Sequence, residues 1–201
     1  MSLSCADRPP ISSEDSTLND DSEFTDLTLL PLRIGNEWVY SYKNNQSGIA
    51  GLLTWKITGS SIVGGRIVFH LNQSLPVIGR EQTLLLASIN NTLYVYGEIS
   101  DSGVETIYSS PRIYLKYPLA DGETFVNWQG YTVELVTDGK LIDTGAGMFN
   151  ALKYFLYEDT IKVGIIFWVV DVGPAIMEKP SIDQNSFVAI EISTLSRYTL
   201  N

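Results

Sequence analysis

At 201 residues the chain is long enough for one sizeable core or two small ones. Its formal charge of −10, with only 13 Lys and Arg spread along it, argues against a nucleic-acid partner or an anionic membrane surface. Aromatic residues make up 11% and charged residues only 18%, the profile of a globular chain able to bury apolar surface. A single cysteine excludes an internal disulfide and a thiolate metal cluster.

The chain divides into two units, an acidic segment at 1–26 and a β-rich domain at 27–201. The first holds seven acids, Asp7, Glu14, Asp15, Asp20, Asp21, Glu23 and Asp26, against one base, Arg8, and so carries −6 of the −10. It is rich in Ser, Asp and Pro and poor in apolar residues, so burial cannot offset its ordering entropy and a flexible tether is expected. Within it lies Cys5. A catalytic thiol needs a fixed base beside it, which a mobile arm does not offer. A cysteine, a polar linker and then a β-rich domain resemble the mature start of a bacterial lipoprotein, and the resemblance implies that Cys5 is the lipid-attachment residue. Only Met-Ser-Leu-Ser precedes Cys5, so a native leader is expected to have been replaced by a short start sequence. Ala6 stands where some lipoproteins carry the Asp that holds them at the inner membrane, which extends the expectation to the outer membrane.

From Leu27 onward the signal is period two with turn residues between. In WVYSY, Trp38, Tyr40 and Tyr42 share one face. GLLTWKITGSSIVGGRIVFHLN predicts a hairpin turning at Gly64-Gly65, and TLLLASINNTLYVYGEI one turning at Asn90-Asn91. YTVELVTDGKLIDTG predicts a strand ending in an Asp138-Gly139 turn. Met148 to Tyr157 reads as strand rather than helix, because β-branched and aromatic residues surround it and Gly145 and Gly147 precede it. Val163 to Val172 is too short to span a membrane and predicts a strand buried on both faces. Ten to thirteen strands imply an all-β fold, an antiparallel meander forming a strongly curved sheet or barrel, with a β-sandwich as the alternative.

Chemistry-bearing residues are sparse. His70 alternates with Val68 in RIVFHLN and has no second His or Cys beside it, so a structural role is expected rather than a metal or nucleophilic one. Carboxylates beside turns, namely Glu98 with Asp101, Glu158 with Asp159, and Asp121 with Glu123, supply the only route to a carbohydrate hydrolase, which needs two acids facing across a sugar. Trp38, Trp55, Trp128 and Trp168 could stack on a ligand, although aromatics alternating along strands more often build core. No phosphate-binding or nucleophile-elbow motif is present, and no metal or cofactor is expected. Asn45, Asn72 and Asn90 begin Asn-x-Ser/Thr sequons, which matter only in a eukaryotic secreted protein.

One motif recurs. LPLRIGNEWVYSY (30–42) and YPLADGETF (117–125) share a Pro-Leu, a Gly three residues after the Leu, and an aromatic three residues after the Gly, and local turn chemistry explains both without a ligand. Together with DTGAGMFNALKY and VVDVGPAIMEK, in this order, they resemble a group of bacterial exported β-rich domains and lipoproteins. That resemblance brings no catalytic residues with it. The combined expectation is a non-enzymatic cell-envelope binding module, periplasmic or tethered to the outer membrane through Cys5. It would bind an apolar ligand or an envelope protein. A carboxylate hydrolase and a structural assembly module are the alternatives.

Overall fold

The computed structural model describes residues 28–120, 122–180 and 189–201. The acidic segment with Cys5, and Asp121, lie outside the described residues. Twelve strands run in chain order as β1 (Glu37–Asn44), β2 (Ala50–Val63), β3 (Arg66–Leu75), β4 (Arg80–Ile89), β5 (Thr92–Ile99), β6 (Glu105–Lys116), β7 (Thr124–Val126), β8 (Thr132–Thr144), β9 (Gly147–Glu158), β10 (Ile161–Val169), β11 (Gly173–Pro180) and β12 (Ala189–Thr199). Among the described residues there is no α-helix, only a 3₁₀ turn at Pro76–Ile78. All twelve strands belong to one antiparallel sheet in the order β6-β5-β4-β3-β2-β1-β12-β11-β10-β9-β8-β7, a nearly closed barrel. The expected curved meander is therefore what forms, and the sandwich is set aside.

The chain is two six-stranded meanders, joined where β1 pairs with β12 from Glu37↔Thr199 to Asn44↔Glu191. Each meander opens on one copy of the repeated motif. In the first, Asn36 N donates to Arg33 O at 3.1 Å across Gly35 at φ +95°; in the second, Glu123 N donates to Ala120 O at 2.9 Å across Gly122 at φ +73°. A Gly in the left-handed region makes this turn cheaply, and the aromatic that follows, Trp38 or Phe125, then enters the core as its strand begins. The first copy also clamps the other chain end. Asn36, 1% exposed, donates from Nδ2 to Pro31 O at 2.8 Å and accepts at Oδ1 from Asn201 N at 2.7 Å.

Two of the three expected hairpin turns are present. Gly64-Gly65 links Val63↔Arg66, and Asn90-Asn91, both at positive φ, links Ile89↔Thr92. The third expectation fails. Asp138-Gly139 does not end a strand but forms a bulge inside β8, between Thr137 and Lys140, and the hairpin turns instead at Gly145-Ala146. Gly139 at φ +82° serves either a turn or a bulge, and pairing with β9 on both sides of it selects the bulge. Beyond that bulge the hairpin tip crosses the ends of β10 and β11 to reach β12, where Ala146 N donates to Leu195 O at 3.3 Å and Phe149 packs against Tyr198 at 6.1 Å.

One end of the barrel is filled. Leu29 and Leu30, 2% and 1% exposed, enter it and pack with Trp38, Tyr40, Tyr154 and Trp168, each wholly buried. Burying each leucine is worth about 1.5–3 kcal/mol. The segment is held by the β10–β11 turn: Thr28 donates from N and Oγ1 to Asp171 Oδ1 at 2.9 and 2.8 Å, and Asp171 N donates to Thr28 O at 2.7 Å. Trp168 Nε1 donates to the Leu29 carbonyl, and Trp38 Nε1 to the Val172 carbonyl at 2.6 Å. Strand β10 is buried on both faces from Gly164 to Val169 apart from half-buried Ile166, whereas Val170, Asp171 and Val172, at the end of the apolar run, form the turn to β11 instead of strand.

The barrel's two edges are β6 and β7. Pro111 removes a donor from the exposed stretch of β6, and β7 is only three residues long, both ordinary protections of a free edge. The gap is bridged where Tyr154 Oη of β9 donates to the Lys116 carbonyl of β6 at 3.2 Å, and where the Lys116 ammonium pairs with Glu123.

Candidate functional site

At the other end the strands diverge. The end of β1 and start of β2, the β3–β4 and β9–β10 connections, the β7–β8 turn, the end of β11 and the start of β12 surround a cavity of about 340 Å³. Leu53 and Trp55 of β2, Gln73 and Leu75 of β3, and Arg80 and Gln82 of β4 alternate toward it. Its wall is apolar, made by Leu53, Trp55, Leu75, Leu156, Ile166 and Met177, with Trp128 and Tyr131 at the side. Charges of both signs stand around it, Arg80, Lys162 and Lys179 with Glu158 and Glu191. Its volume falls near the lower end of the ~300–1,000 Å³ typical of small-molecule sites.

Some polar side chains of the lining are committed to the protein. Gln82 Nε2 donates to Glu98 Oε2 at 2.8 Å, and Gln73 is hydrogen-bonded to Tyr114. Asn127 Oδ1 accepts from the backbone of Gln129 and Tyr131 at 3.1 and 2.9 Å, closing the β7–β8 turn. Around the aliphatic and aromatic wall the lining also carries Tyr42, Gln129 and Ser193.

An aromatic ladder connects the cavity to the filled end. Tyr114 stacks on Trp128 with centroids 6.4 Å apart and 14° between planes, and meets Trp168 edge-on at 6.0 Å. Tyr40 meets Trp55 edge-on at 5.6 Å. Burial pushes the Tyr40 and Tyr114 phenols up from the ordinary tyrosine value. The neighbouring Tyr114 adds to the rise at Tyr40, and the Gln73 hydrogen bond opposes it at Tyr114. Tyr40 Oη is buried with no hydrogen-bond partner.

The structure separates the four tryptophans singled out by sequence. Trp55 and Trp128 line the cavity; Trp38 and Trp168 do not, their indoles being bonded into the filled end. Sequence reasoning missed Leu53, Leu75, Ile166 and Met177, whose alternation marks an inward face without showing that the interior is open there. Of the described candidate carboxylates, Glu158 alone lines this cavity. Glu98 and Asp101 share a shallow depression of about 270 Å³ with Arg80 and Glu81, where Gln82 and Tyr108 hydrogen-bond to Glu98. Glu123 is ion-paired with Lys116, and that hydrogen bond, with one from Ala120 N, holds its carboxyl below the usual range. Glu158 stands at the cavity, and Asp159 occupies the β9–β10 turn at φ +54°. His70 is half-buried and bonded through Nε2 to Ser61 Oγ at 2.9 Å; among the described residues no group of three His, Cys, Asp or Glu could hold a metal ion.

No protein-family profile and no curated protein sequence matches the chain. Two solved structures share its fold. One is a candidate lipoprotein from Parabacteroides distasonis, 11% identical with a TM-score of 0.56, the match covering 86% of this chain and 99% of that one. The other is a candidate exported protein with a YmcC-like fold from Bacteroides fragilis, 10% identical with a TM-score of 0.53, covering 87% of this chain and all of that one.

The unpartnered Tyr40 hydroxyl yields a stability prediction. Replacing it with hydrogen removes a desolvated group that has no compensating bond, so Tyr40→Phe is expected to leave unfolding stability unchanged or raise it by up to about 1 kcal/mol in urea titration. A loss of more than about 1 kcal/mol would mean that the hydroxyl is bonded after all. Because burial raises these phenols in the folded state, their contribution is fully present below the unfolded value near 10 and is lost as pH rises from there through the raised folded values. Stability is therefore expected to fall above about pH 10, and to fall less in Tyr40→Phe.

Proposed function

We propose that the chain is a non-enzymatic cell-envelope binding module, tethered through an acylated Cys5, that takes an apolar ligand into the open end of its barrel. The observation that carries the reading is the cavity itself. The barrel is packed solid at one end and left open at the other, over a wall of aliphatic and aromatic side chains beside which Gln82 and Asn127 are already hydrogen-bonded to the protein. A well-packed interior leaves few voids larger than a water molecule, so a 340 Å³ apolar space at the mouth of a barrel is a binding feature rather than slack. The envelope location is supported by the two structures of like fold, described as a candidate lipoprotein and a candidate exported protein, and by the cysteine that precedes the acidic segment.

Two measurements test this. An environment-sensitive apolar dye such as N-phenyl-1-naphthylamine is expected to brighten on binding, and Ile166→Trp, which fills the cavity from β10, is expected to weaken it at least about tenfold with circular dichroism unchanged, a loss of about 1.4 kcal/mol. Absence of uptake, or uptake indifferent to the filled cavity, would remove the ligand reading. For the anchor, mass spectrometry of the protein extracted from its native membranes should show an acylated Cys5; an unmodified thiol there would end the tethering claim.

A further inference from the structure

The outer wall of β8–β10 carries an arrangement of which only Lys162 also borders the cavity. Phe155 and Phe167 point away from the barrel interior, on strands whose inward residues are Tyr154 and Trp168, and three lysines converge over them. Lys162 Nζ lies 3.5 Å from the Phe155 centroid, Lys153 Nζ 4.7 Å from Phe155 and 5.7 Å from Phe167, and Lys140 Nζ 5.5 Å from Phe167. Their aliphatic stems help to explain why Phe167 is only 7% exposed although it faces outward. Desolvation holds the Lys153 ammonium below the ordinary lysine value, and Lys140 and Lys162 push it further down, with Glu178 acting in the opposite sense. Glu134, also on this wall, accepts from Tyr157 Oη at 3.0 Å. Three mutually repelling cations thus gather on one wall of a chain whose net charge is −10.

We infer that this wall is a docking surface for the chain's own acidic N-terminal segment, with Asp20, Asp21 and Glu23 lying against Lys140, Lys153 and Lys162. Charge complementarity is the first argument, since the segment carries −6 and the rest of the chain only −4. Reach is the second. The described chain begins at Thr28, fixed to Asp171 at the β10–β11 turn. Phe167 lies four residues back along β10, or ~13 Å, and Lys162 nine residues back, or ~30 Å, at ~3.3 Å per residue. Extended chain spans ~17 Å from Thr28 to Glu23 and up to ~29 Å to Asp20, so the four-residue run Asp-Asp-Ser-Glu matches the length of the wall. Docking of residues 20–26 leaves 6–19 between Cys5 and the barrel, so the tethered protein would have a short-reach state at low ionic strength and a long-reach state when salt screens the contact. This does not rest on the cavity being a binding site.

Zero-length carbodiimide cross-linking of the full chain tests it, using a mixture of ¹⁴N- and ¹⁵N-labelled protein to tell links within one chain from links between two. The expected result is same-chain links from Asp20, Asp21 or Glu23 to Lys140, Lys153 and Lys162, falling at least about threefold at ~0.5 M salt, where the Debye length is only a few Å. A second arm uses Asp20→Asn, Asp21→Asn and Glu23→Gln together, which alters none of the described residues. Acetylation of Lys153 should then run at least about twofold faster. Links spread evenly over Lys43, Lys56 and Lys179, mixed-isotope links showing that a second copy supplies the acids, or a Lys153 reactivity unmoved by the arm substitutions would each overturn the proposal.

Discussion

Two buried indoles constrain everything else in this barrel. Trp38 and Trp168 are both wholly buried, and each removes one N–H donor from water. An unsatisfied donor there would cost about 1–3 kcal/mol, so each must find an acceptor inside. The acceptors are arranged reciprocally. Trp38, on the first strand of the first meander, donates to Val172 in the second; Trp168, in the second, donates to Leu29 just ahead of the first. Together with Thr28 on Asp171, these bonds pin the start of the described chain across one end of the barrel, where Leu29 and Leu30 fill the space.

The open end is the complement of that filled one. With Trp38, Tyr40, Tyr154 and Trp168 occupying the plugged half, the opposite walls meet there, and Tyr114 marks the boundary by touching Trp168 on one side and Trp128 on the other. Past that boundary the cavity opens. Its mouth is framed by connections rather than strand centres, the part of a β-rich scaffold that can change guest preference without disturbing the packed half.

Much of this was legible in the chain because it depends on neighbours in sequence. Period-two alternation gave the strands, and the pairs Gly64-Gly65 and Asn90-Asn91 gave two hairpins, since each turn is decided by residues that tolerate positive φ. The repeated Pro-Leu motif reads correctly as a turn that delivers an aromatic to the core. Asp138-Gly139 was misread because a bulge and a turn make the same local demand on a glycine, and only pairing with β9 separates them. The division of the tryptophans into Trp55 and Trp128 at the cavity and Trp38 and Trp168 in the plug depends on contacts between residues 130 or more positions apart for the plugged pair, which no local pattern carries. The lysine wall was invisible for the same reason, its three cations coming from three different strands.

The barrel has one half whose indoles are locked into the fold and another whose indoles border an opening. Hydrogen exchange at the four tryptophan Nε1–H groups, followed by nuclear magnetic resonance, reads that division directly. Trp38 and Trp168 are expected to exchange only through global unfolding, as slowly as the most protected backbone amides, while half-buried Trp128 exchanges through local opening many times faster. A Trp168 indole exchanging as fast as that of Trp128 would contradict the plug, and with it the division of the barrel into a filled and an open end.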